Sequence, residues 1–349
     1  MDVLQPTGDA RADVEALAGW LEAEDERRLL IETSGSTGRP KRVLLSRAAV
    51  LASVDASARR VGTGRWVLAL PSSYVAGVQV VCRSLAAGRE PVLADDHGSL
   101  ADAVRAAGED ACVSLVPTQL HRAMADAATT EALAAAGVVL LGGGPIDPAL
   151  RARAEEAGVP VVATYGASET AGGCVYDGYP LDGVGVIVGT DGRVRLGGPT
   201  IFDGYLDDPE LTAETLVDGW YVTSDAGRLD EDGRLQVLGR LDDVVVSGGV
   251  KVPLPAVAAR LREHPRVEAA ECVGVADPEW GTRVVAVVVS TSADSAGVRV
   301  GVAAGELREW VAQRHPRSWA PREVRVLDAL PLLANGKVDR RALEGLADD

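Results

Sequence analysis

The sequence predicts an α/β protein: a large N-terminal α/β domain with mixed and parallel sheets, followed by a small α+β C-terminal domain. Three observations predict it. Short apolar runs rich in β-branched residues alternate with Ala/Leu/Arg-rich stretches as far as residue 163. After residue 183 short strands separated by Asp-Gly pairs take over. The chain has 349 residues, 47% of them hydrophobic, which suits two cores better than one.

Residues 11–30 are charged and helix-like, and Leu29-Leu30-Ile31 reads as a strand entering a Ser/Thr/Gly loop. Runs 65–70, 91–94, 112–116, 137–142 and 159–163 read as strands. Stretches 99–107, 118–135 and 147–157 read as the helices between them. Such alternation builds βαβ units on a largely parallel sheet. Asp191-Gly192, Asp218-Gly219 and Asp232-Gly233 are hairpin signals. The segment GRLDD marks a boundary, giving a domain over 1–239, a hinge at 240–243 and a second domain over 244–349. That second domain reads as a helix (254–263), a strand pair (268–276, 283–290), a helix (304–314) and a last strand (322–327), with a loop at 291–300.

Charge excludes some partners. The net charge is −16, and no basic run offers a face for nucleic acid or an anionic membrane. Anionic substrates must be met by local cations and backbone N–H groups. The four cysteines (Cys82, Cys112, Cys174, Cys272) and four histidines are scattered, against a disulfide framework or zinc site and in keeping with a reducing cytoplasm. The first residues lack a signal-peptide pattern, and no apolar run reaches the roughly 20 residues of a membrane span. Of 35 basic residues only three are Lys: Lys41, Lys251 and Lys337. A compact ammonium on a thin stem does what a guanidinium fork cannot. Taken alone, chance survival of three surface lysines is the better reading, but all three lie beside Gly- or Pro-rich segments, which shifts the balance.

Four segments carry candidate chemistry. Thr33-Ser34-Gly35-Ser36-Thr37-Gly38, ending in Lys41, is dense in small donors and glycines that let backbone N–H groups cradle a phosphate. It does not fit the Walker spacing, and it is expected between a strand and a helix. Thr164–Thr170 includes Tyr165, Gly166, Ser168 and Glu169 at the end of a strand, where α/β sheets gather ligands. A hydroxyl and a carboxylate there suit a phosphate oxygen and magnesium, although for this segment by itself a plain helix cap by Ser168 is the stronger reading. Asp225, with Arg240, suits a ribose diol, or is a surface acid. Asn335-Gly336 would present Lys337 at the tip of a tight turn, or is a solvated loop.

In this order and spacing, TSGSTGRPK, YGASET, YVTSD, GRLDD and NGKVDR resemble the adenylate-forming superfamily of acyl-CoA synthetases, adenylation domains and luciferases, over residues 29–345. Tyr74 to Arg83, residues 116–120 and 177–183 further resemble the o-succinylbenzoate–CoA ligases of menaquinone biosynthesis. The resemblance implies an ATP-dependent acid–thiol ligase in the cytoplasm, with ATP, Mg2+ and coenzyme A as cofactor and co-substrates. Its substrate would be a small aromatic dicarboxylate, with no nucleic acid and no membrane span. By resemblance the loop from Thr33 to Lys41 holds the β- and γ-phosphates, Ser168 the α-phosphate and Glu169 the metal. Gly142, Gly143 and Gly144 pass the adenine beside Tyr165 and Gly166, and Asp225 and Arg240 bind the ribose. Lys337 bridges the carboxylate and the α-phosphate. Tyr74, Val75, Gly77, Arg83 and Gly172 line the acid pocket, with Arg83 on the carboxylate that does not react. Asp242 is the hinge of a mobile C-terminal domain, and Ser247, Gly248 and Gly249 meet coenzyme A.

Relatives commonly carry more sequence before the phosphate loop, so part of the large domain is expected to be absent; whether residues 1–28 or a homodimer would make up for it is not decided by the sequence. Tyr74 stands where many relatives have His, Arg42 where Gly is common, and Ser224 where a Gly precedes Asp225. Another aryl- or acyl-CoA ligase, a freestanding adenylation enzyme and a non-catalytic nucleotide-binding protein are the alternatives.

Overall fold

The computed structural model describes residues 2–33, 40–291, 302–333 and 338–348. Its chain falls into two compact units. The larger takes Met1–Thr223 and Gly227–Gln236; the smaller takes Ser224–Ala226, Val237–Leu333 and Val338–Asp349.

The larger unit centres on a seven-stranded sheet. Its order is Tyr179–Pro180, Gly172–Tyr176, Val161–Ala167, Val138–Leu141, Ala111–Leu115, Arg65–Leu68, Val92–Leu93. The pairs from Val161–Ala167 to Val92–Leu93 are parallel, and the two at the other edge are antiparallel. Val138–Leu141 and Ala111–Leu115 are buried throughout, as expected of strands covered on both faces. The strand expected at 159–163 runs on to Ala167 and takes in Thr164, Tyr165 and Gly166. The helical stretch at 118–135 is two helices, Pro117–Ala123 and Ala127–Ala134. Asp126 breaks it by accepting the Thr129 N–H as an N-cap.

A four-stranded sheet runs Val3–Leu4, Arg28–Thr33, Lys41–Leu45, Gly204–Tyr205. Thr33 pairs with Lys41, so the Ser/Thr/Gly segment joins two antiparallel strands. The helix expected directly after it starts only at Arg47, capped by Ser46. The physical reason is the sequence Val43-Leu44-Leu45, which is fully buried and pairs in register with Leu29-Leu30-Ile31. All three Asp-Gly pairs sit in tight turns: Gly192, Gly219 and Gly233 have positive φ, and so does Asp218.

The helix-like region 11–30 is a helix only over Ala10–Glu22. The Trp20 indole N–H donates to the Arg27 carbonyl at 2.8 Å, folding the charged tail back onto the helix. Asp13 in this helix is 2% exposed. Its carboxylate accepts the N–H groups of Thr7 and Gly8 and the hydroxyls of Thr7 and Ser72. Burial pushes this carboxyl up, but those four bonds outweigh it and hold it below its ordinary value of 3.8. The bond to Ser72 ties residues 7–13 to the loop that leads into Tyr74.

Asp13→Ala is therefore expected to lower unfolding stability by about 2–4 kcal/mol at pH 7, since it strands buried donors. A depressed folded-state pKa stabilises above the unfolded value and is lost as pH falls through the folded one. The gap between variant and wild type in denaturant midpoint should shrink as the pH drops below that ordinary 3.8. A gap that stays constant down to acid unfolding would contradict this account of Asp13.

The smaller unit contains a hairpin, Val244–Ser247 with Val250–Pro253, and a three-stranded sheet of Val267–Asp277, Gly281–Ser290 and Glu323–Leu327. Helices Leu254–Arg262 and Ala304–Ala312 cover a core that includes Val257, Leu261, Ala270, Val284, Ala286, Leu307 and Val311. No helix among the described residues is long and apolar enough to cross a membrane.

Candidate active site

The parallel strands Val138–Leu141 and Val161–Ala167 end side by side. Gly142, Gly143 and Gly144 follow the first, and Ser168 and Glu169 follow the second. Gly142 has to be glycine, because a Cβ there would meet the Thr164 Oγ1 at 2.2 Å. Gly143 has a φ of 81°, and Gly143 and Gly144 lie open to solvent. A strand end of bare backbone of this kind offers a flat base room to approach.

Ser168–Thr170 forms one 3-10 turn. Thr170, not Ser168, fixes it: its hydroxyl accepts the Ala167 N–H at 2.9 Å and donates to the Gly172 carbonyl at 2.7 Å. The side-chain cap expected of Ser168 is thus supplied by a threonine two residues on, while the Ser168 carbonyl closes the turn by accepting the Ala171 N–H at 3.1 Å. Gly166 crosses the next strand so closely that a Cβ would lie 2.2 Å from the Gly172 carbonyl oxygen. Ala171 takes the left-handed region at φ 50°. Its carbonyl is held by the Gln79 Nε2 at 2.7 Å and the Ser53 hydroxyl at 3.2 Å.

Glu169 is 5% exposed. Its Oε1 accepts the Tyr205 hydroxyl at 2.7 Å, and its carbonyl accepts the Phe202 N–H at 2.9 Å. The Lys41 ammonium lies 5.4 Å from the centre of the Tyr205 ring. Burial, and then the Glu169 charge, push the Tyr205 hydroxyl far above its usual range, so it stays a donor. A buried carboxylate, a lysine and the two ends of a Ser/Thr/Gly hairpin thus share one region. Ser34, Gly35, Ser36, Thr37 and Gly38 lie outside the described residues, as does Lys337.

No cluster of three His, Cys, Asp or Glu side chains that could cage a metal occurs among the described residues. A magnesium ion does not require one, since it keeps waters and shares nucleotide phosphates with one or two carboxylates. One hard-oxygen ligand, partly held by a tyrosine, fits that mode. Burial pushes the Cys82 and Cys174 thiols up to about 12, so neither is a nucleophile at neutral pH.

Of the acid-pocket candidates, Tyr74 is half-buried and precedes the helix Val75–Ala86. Val75, Gln79 and Arg83 repeat every four residues and form one face of that helix. That face meets the strand Gly172–Tyr176. A Cβ on Gly172 would touch Gln79 at 3.2 Å and Val75 at 3.9 Å. Gly77 faces elsewhere, where a Cβ would sit 2.2 Å from the Pro71 carbonyl oxygen, so its small size serves the loop contact.

Arg83 is 7% exposed. Its Nη2 donates to the Tyr176 hydroxyl at 3.1 Å, and its guanidinium stacks over Trp66 at 4.9 Å. The Tyr176 hydroxyl also bonds Ser57 at 2.9 Å. Among the described residues the buried Arg83 Nε and the buried Gln79 Oε1 have no hydrogen-bond partner. A small cavity of about 80 Å³ borders Arg83, Trp66 and Ser57.

The remaining candidates lie in or beside the smaller unit. Asp225 lies on the strand Trp220–Leu229 and Arg240 ends the paired strand Leu235–Arg240; both have partners. Asp242 lies in the short turn Leu241–Asp243. Its neighbour Asp243 forms an ion pair with Arg340. Ser247, Gly248 and Gly249 make the hairpin turn, with φ of 56° and 79° at the glycines. A Cβ on Gly248 would press on the Trp280 ring at 2.7 Å. Lys251 is exposed on the following strand.

Sequence reading missed Tyr205, Tyr176 and Ser57, and took in Gln79 only as part of the segment Tyr74 to Arg83, with no role of its own. Each acts across a long sequence gap. The single usable signal was position, since Gln79 and Arg83 lie four and eight residues after Val75.

Comparison with known proteins matches residues 9–206 to the family described as AMP-binding enzyme and residues 256–337 to AMP-binding enzyme C-terminal domain. The chain is 41% identical over 345 residues to a probable 2-succinylbenzoate–CoA ligase of Mycobacterium tuberculosis (strain ATCC 25618 / H37Rv), covering 94% of this chain and 88% of that one. Its fold is similar to o-succinylbenzoate CoA synthetase (MenE) from Bacillus subtilis in complex with the acyl-adenylate intermediate OSB-AMP. There the TM-score is 0.77 at 28% identity, over 90% of this chain and 68% of that one. The same synthetase in complex with ATP and magnesium ion matches at 0.76 and 28%, over 90% and 69%.

Proposed function

This chain belongs to the AMP-binding enzyme family, and on that footing we propose that it ligates 2-succinylbenzoate to coenzyme A through an acyl-adenylate, releasing AMP and pyrophosphate. The observation that carries the reading is the 41% identity to a 2-succinylbenzoate–CoA ligase along almost the whole chain. The geometry supports it. The acid is a dicarboxylate: one carboxylate reacts and the other needs a cation. Arg83 offers a buried guanidinium, its Nε–H without a partner among the described residues, at the end of a helix face that begins with Val75. Charge-assisted, fork-shaped contacts of this type are the strong ones.

In the first half-reaction the carboxylate attacks the α-phosphate, and pyrophosphate leaves. Two anions meet, so positive charge has to be in place beforehand. Lys41 and the loop from Thr33 to Gly38 serve the β- and γ-phosphates. Ser168 serves the α-phosphate. Glu169 holds magnesium, which neutralises phosphate charge when bound. Gly142–Gly144, with Tyr165 and Gly166, admit the adenine; Asp225 and Arg240 serve the ribose. Lys337 bridges the two reacting groups. In the second half-reaction the thiol of coenzyme A attacks the acyl carbon and AMP leaves. Asp242 is the hinge for that exchange, and Ser247-Gly248-Gly249 lets the pantetheine arm approach the backbone.

Pyrophosphate release across a panel of acids tests the substrate. 2-Succinylbenzoate should exceed benzoate, coumarate and fatty acids by at least about a hundredfold in kcat/KM, as expected where a buried cation is left unpaired by the wrong acid. Faster turnover of a monocarboxylate would sink the choice of acid and leave the family assignment standing.

A further inference from the structure

We propose that Tyr205 is a positioning residue of the nucleotide site, holding Glu169 by its hydroxyl for the metal and keeping Lys41 on its ring face, apart from that carboxylate. The inference rests on the reading of Glu169 as the magnesium ligand and Lys41 as a phosphate ligand.

The two ends of Tyr205 do different things. The hydroxyl donates to the Glu169 Oε1 at 2.7 Å, which leaves Oε2 for a cation. The ring carries the Lys41 ammonium at 5.4 Å from its centre. A cation is attracted to that face by the ring quadrupole. Among the described residues no ion pair joins Lys41 to Glu169. Yet a buried carboxylate is a strong attractor for an ammonium that shares a neighbour with it. A direct pair would consume the metal ligand and the phosphate ligand together. The tyrosine touches both and satisfies each by a weaker contact that ATP and magnesium can displace or extend.

Its own position is fixed. Tyr205 pairs across the sheet with Val43, two residues from Lys41, so its ring and Lys41 are diagonal neighbours. Its N–H donates to Thr212 at 2.9 Å, and Phe202 packs on its edge at 4.9 Å. Phe202 also holds the Glu169 carbonyl through its N–H. One short segment, 202–205, thereby clamps Glu169 by both main chain and side chain.

Calorimetric titration of ATP into the full chain, with magnesium and again with EDTA, tests this on wild type, Tyr205→Phe and Tyr205→Leu. Tyr205→Phe should bind Mg·ATP about tenfold more weakly, the scale of one hydrogen bond to a charged group, with ATP in EDTA unchanged because the ring remains. Tyr205→Leu should weaken both titrations, since Lys41 is then free to pair with Glu169. In a Glu169→Gln background, Tyr205→Phe should have no further effect on the magnesium dependence. Equal weakening with and without magnesium in Tyr205→Phe, or no change in either, would overturn the proposal. Wild type whose ATP binding ignores magnesium would overturn the reading of Glu169 itself, and this inference with it. Where Tyr205→Phe does not fold, fluorotyrosine-labelled wild type gives the same answer: the Tyr205 resonance should shift on adding magnesium to the ATP complex, and an unmoved resonance would refute it.

Discussion

Lys337→Ala is expected to slow acyl-adenylate formation by about a thousandfold while leaving thioester formation from supplied acyl-adenylate within about threefold. The reasoning is electrostatic. When the carboxylate attacks, negative charge spreads over the oxygens of the α-phosphate, and an ammonium placed between the two groups stabilises that charge more than the ground state. The thioester step starts from a mixed anhydride in which the carboxylate charge is already gone, so the same lysine has little to stabilise. Arg offers a poor substitute for a point charge on a thin stem. Lys337→Arg should therefore recover only part of the adenylation rate. Pre-steady-state quench of each half-reaction separates the steps. Equal losses in both would remove Lys337 from its assigned role and weaken the case for a hinge at Asp242.

The second large effect belongs to Arg83. Arg83→Lys is expected to raise KM for 2-succinylbenzoate about a hundredfold, with KM for ATP unchanged and kcat at saturating acid within about threefold. Lys keeps the charge and much of the buried stem over Trp66, but it loses the planar fork that bonds Tyr176. A truncation to Ala would confuse binding with stability, because it empties a site that is 7% exposed. The control is an acid without the second carboxylate. Wild type should handle it as poorly as the variant does, and the variant should lose little more, which is the signature of one shared contact. If Arg83→Lys raises KM for both acids equally, Arg83 supports the pocket wall and does not meet the carboxylate.

Much of the fold was legible because local signals agreed with it. The β-branched runs at 112–116 and 137–142 lie in a sheet buried on both faces, so their composition alone marks them. The Asp-Gly pairs gave their turns, because few other dipeptides tolerate that backbone. The segment 33–41 was expected to lead from a strand into a helix, but a second strand follows it. Its flanks are a hairpin whose second strand, Lys41–Leu45, carries basic residues that mask a buried apolar end. The site divides in the same way. Glu169 and Lys41 stand in motifs, and a motif is a local property. Tyr205 and Tyr176 are single aromatic side chains 36 and 93 residues from their partners Glu169 and Arg83. The helix Val75–Ala86 packing on the strand Gly172–Tyr176, and the turn Ser168–Thr170 packing on the four-stranded sheet, bring them together, and no period in the sequence encodes that.

The central claim is that the chain makes an acyl-adenylate of 2-succinylbenzoate and then transfers it. Its most direct test is a single-turnover reaction without coenzyme A, quenched and read by mass spectrometry. The account predicts one adenylate of 2-succinylbenzoate per active site, formed with pyrophosphate only when magnesium and ATP are present, and converted to the thioester and AMP when coenzyme A is added. ATP that is bound but never cleaved, or cleavage to ADP and phosphate, would contradict it.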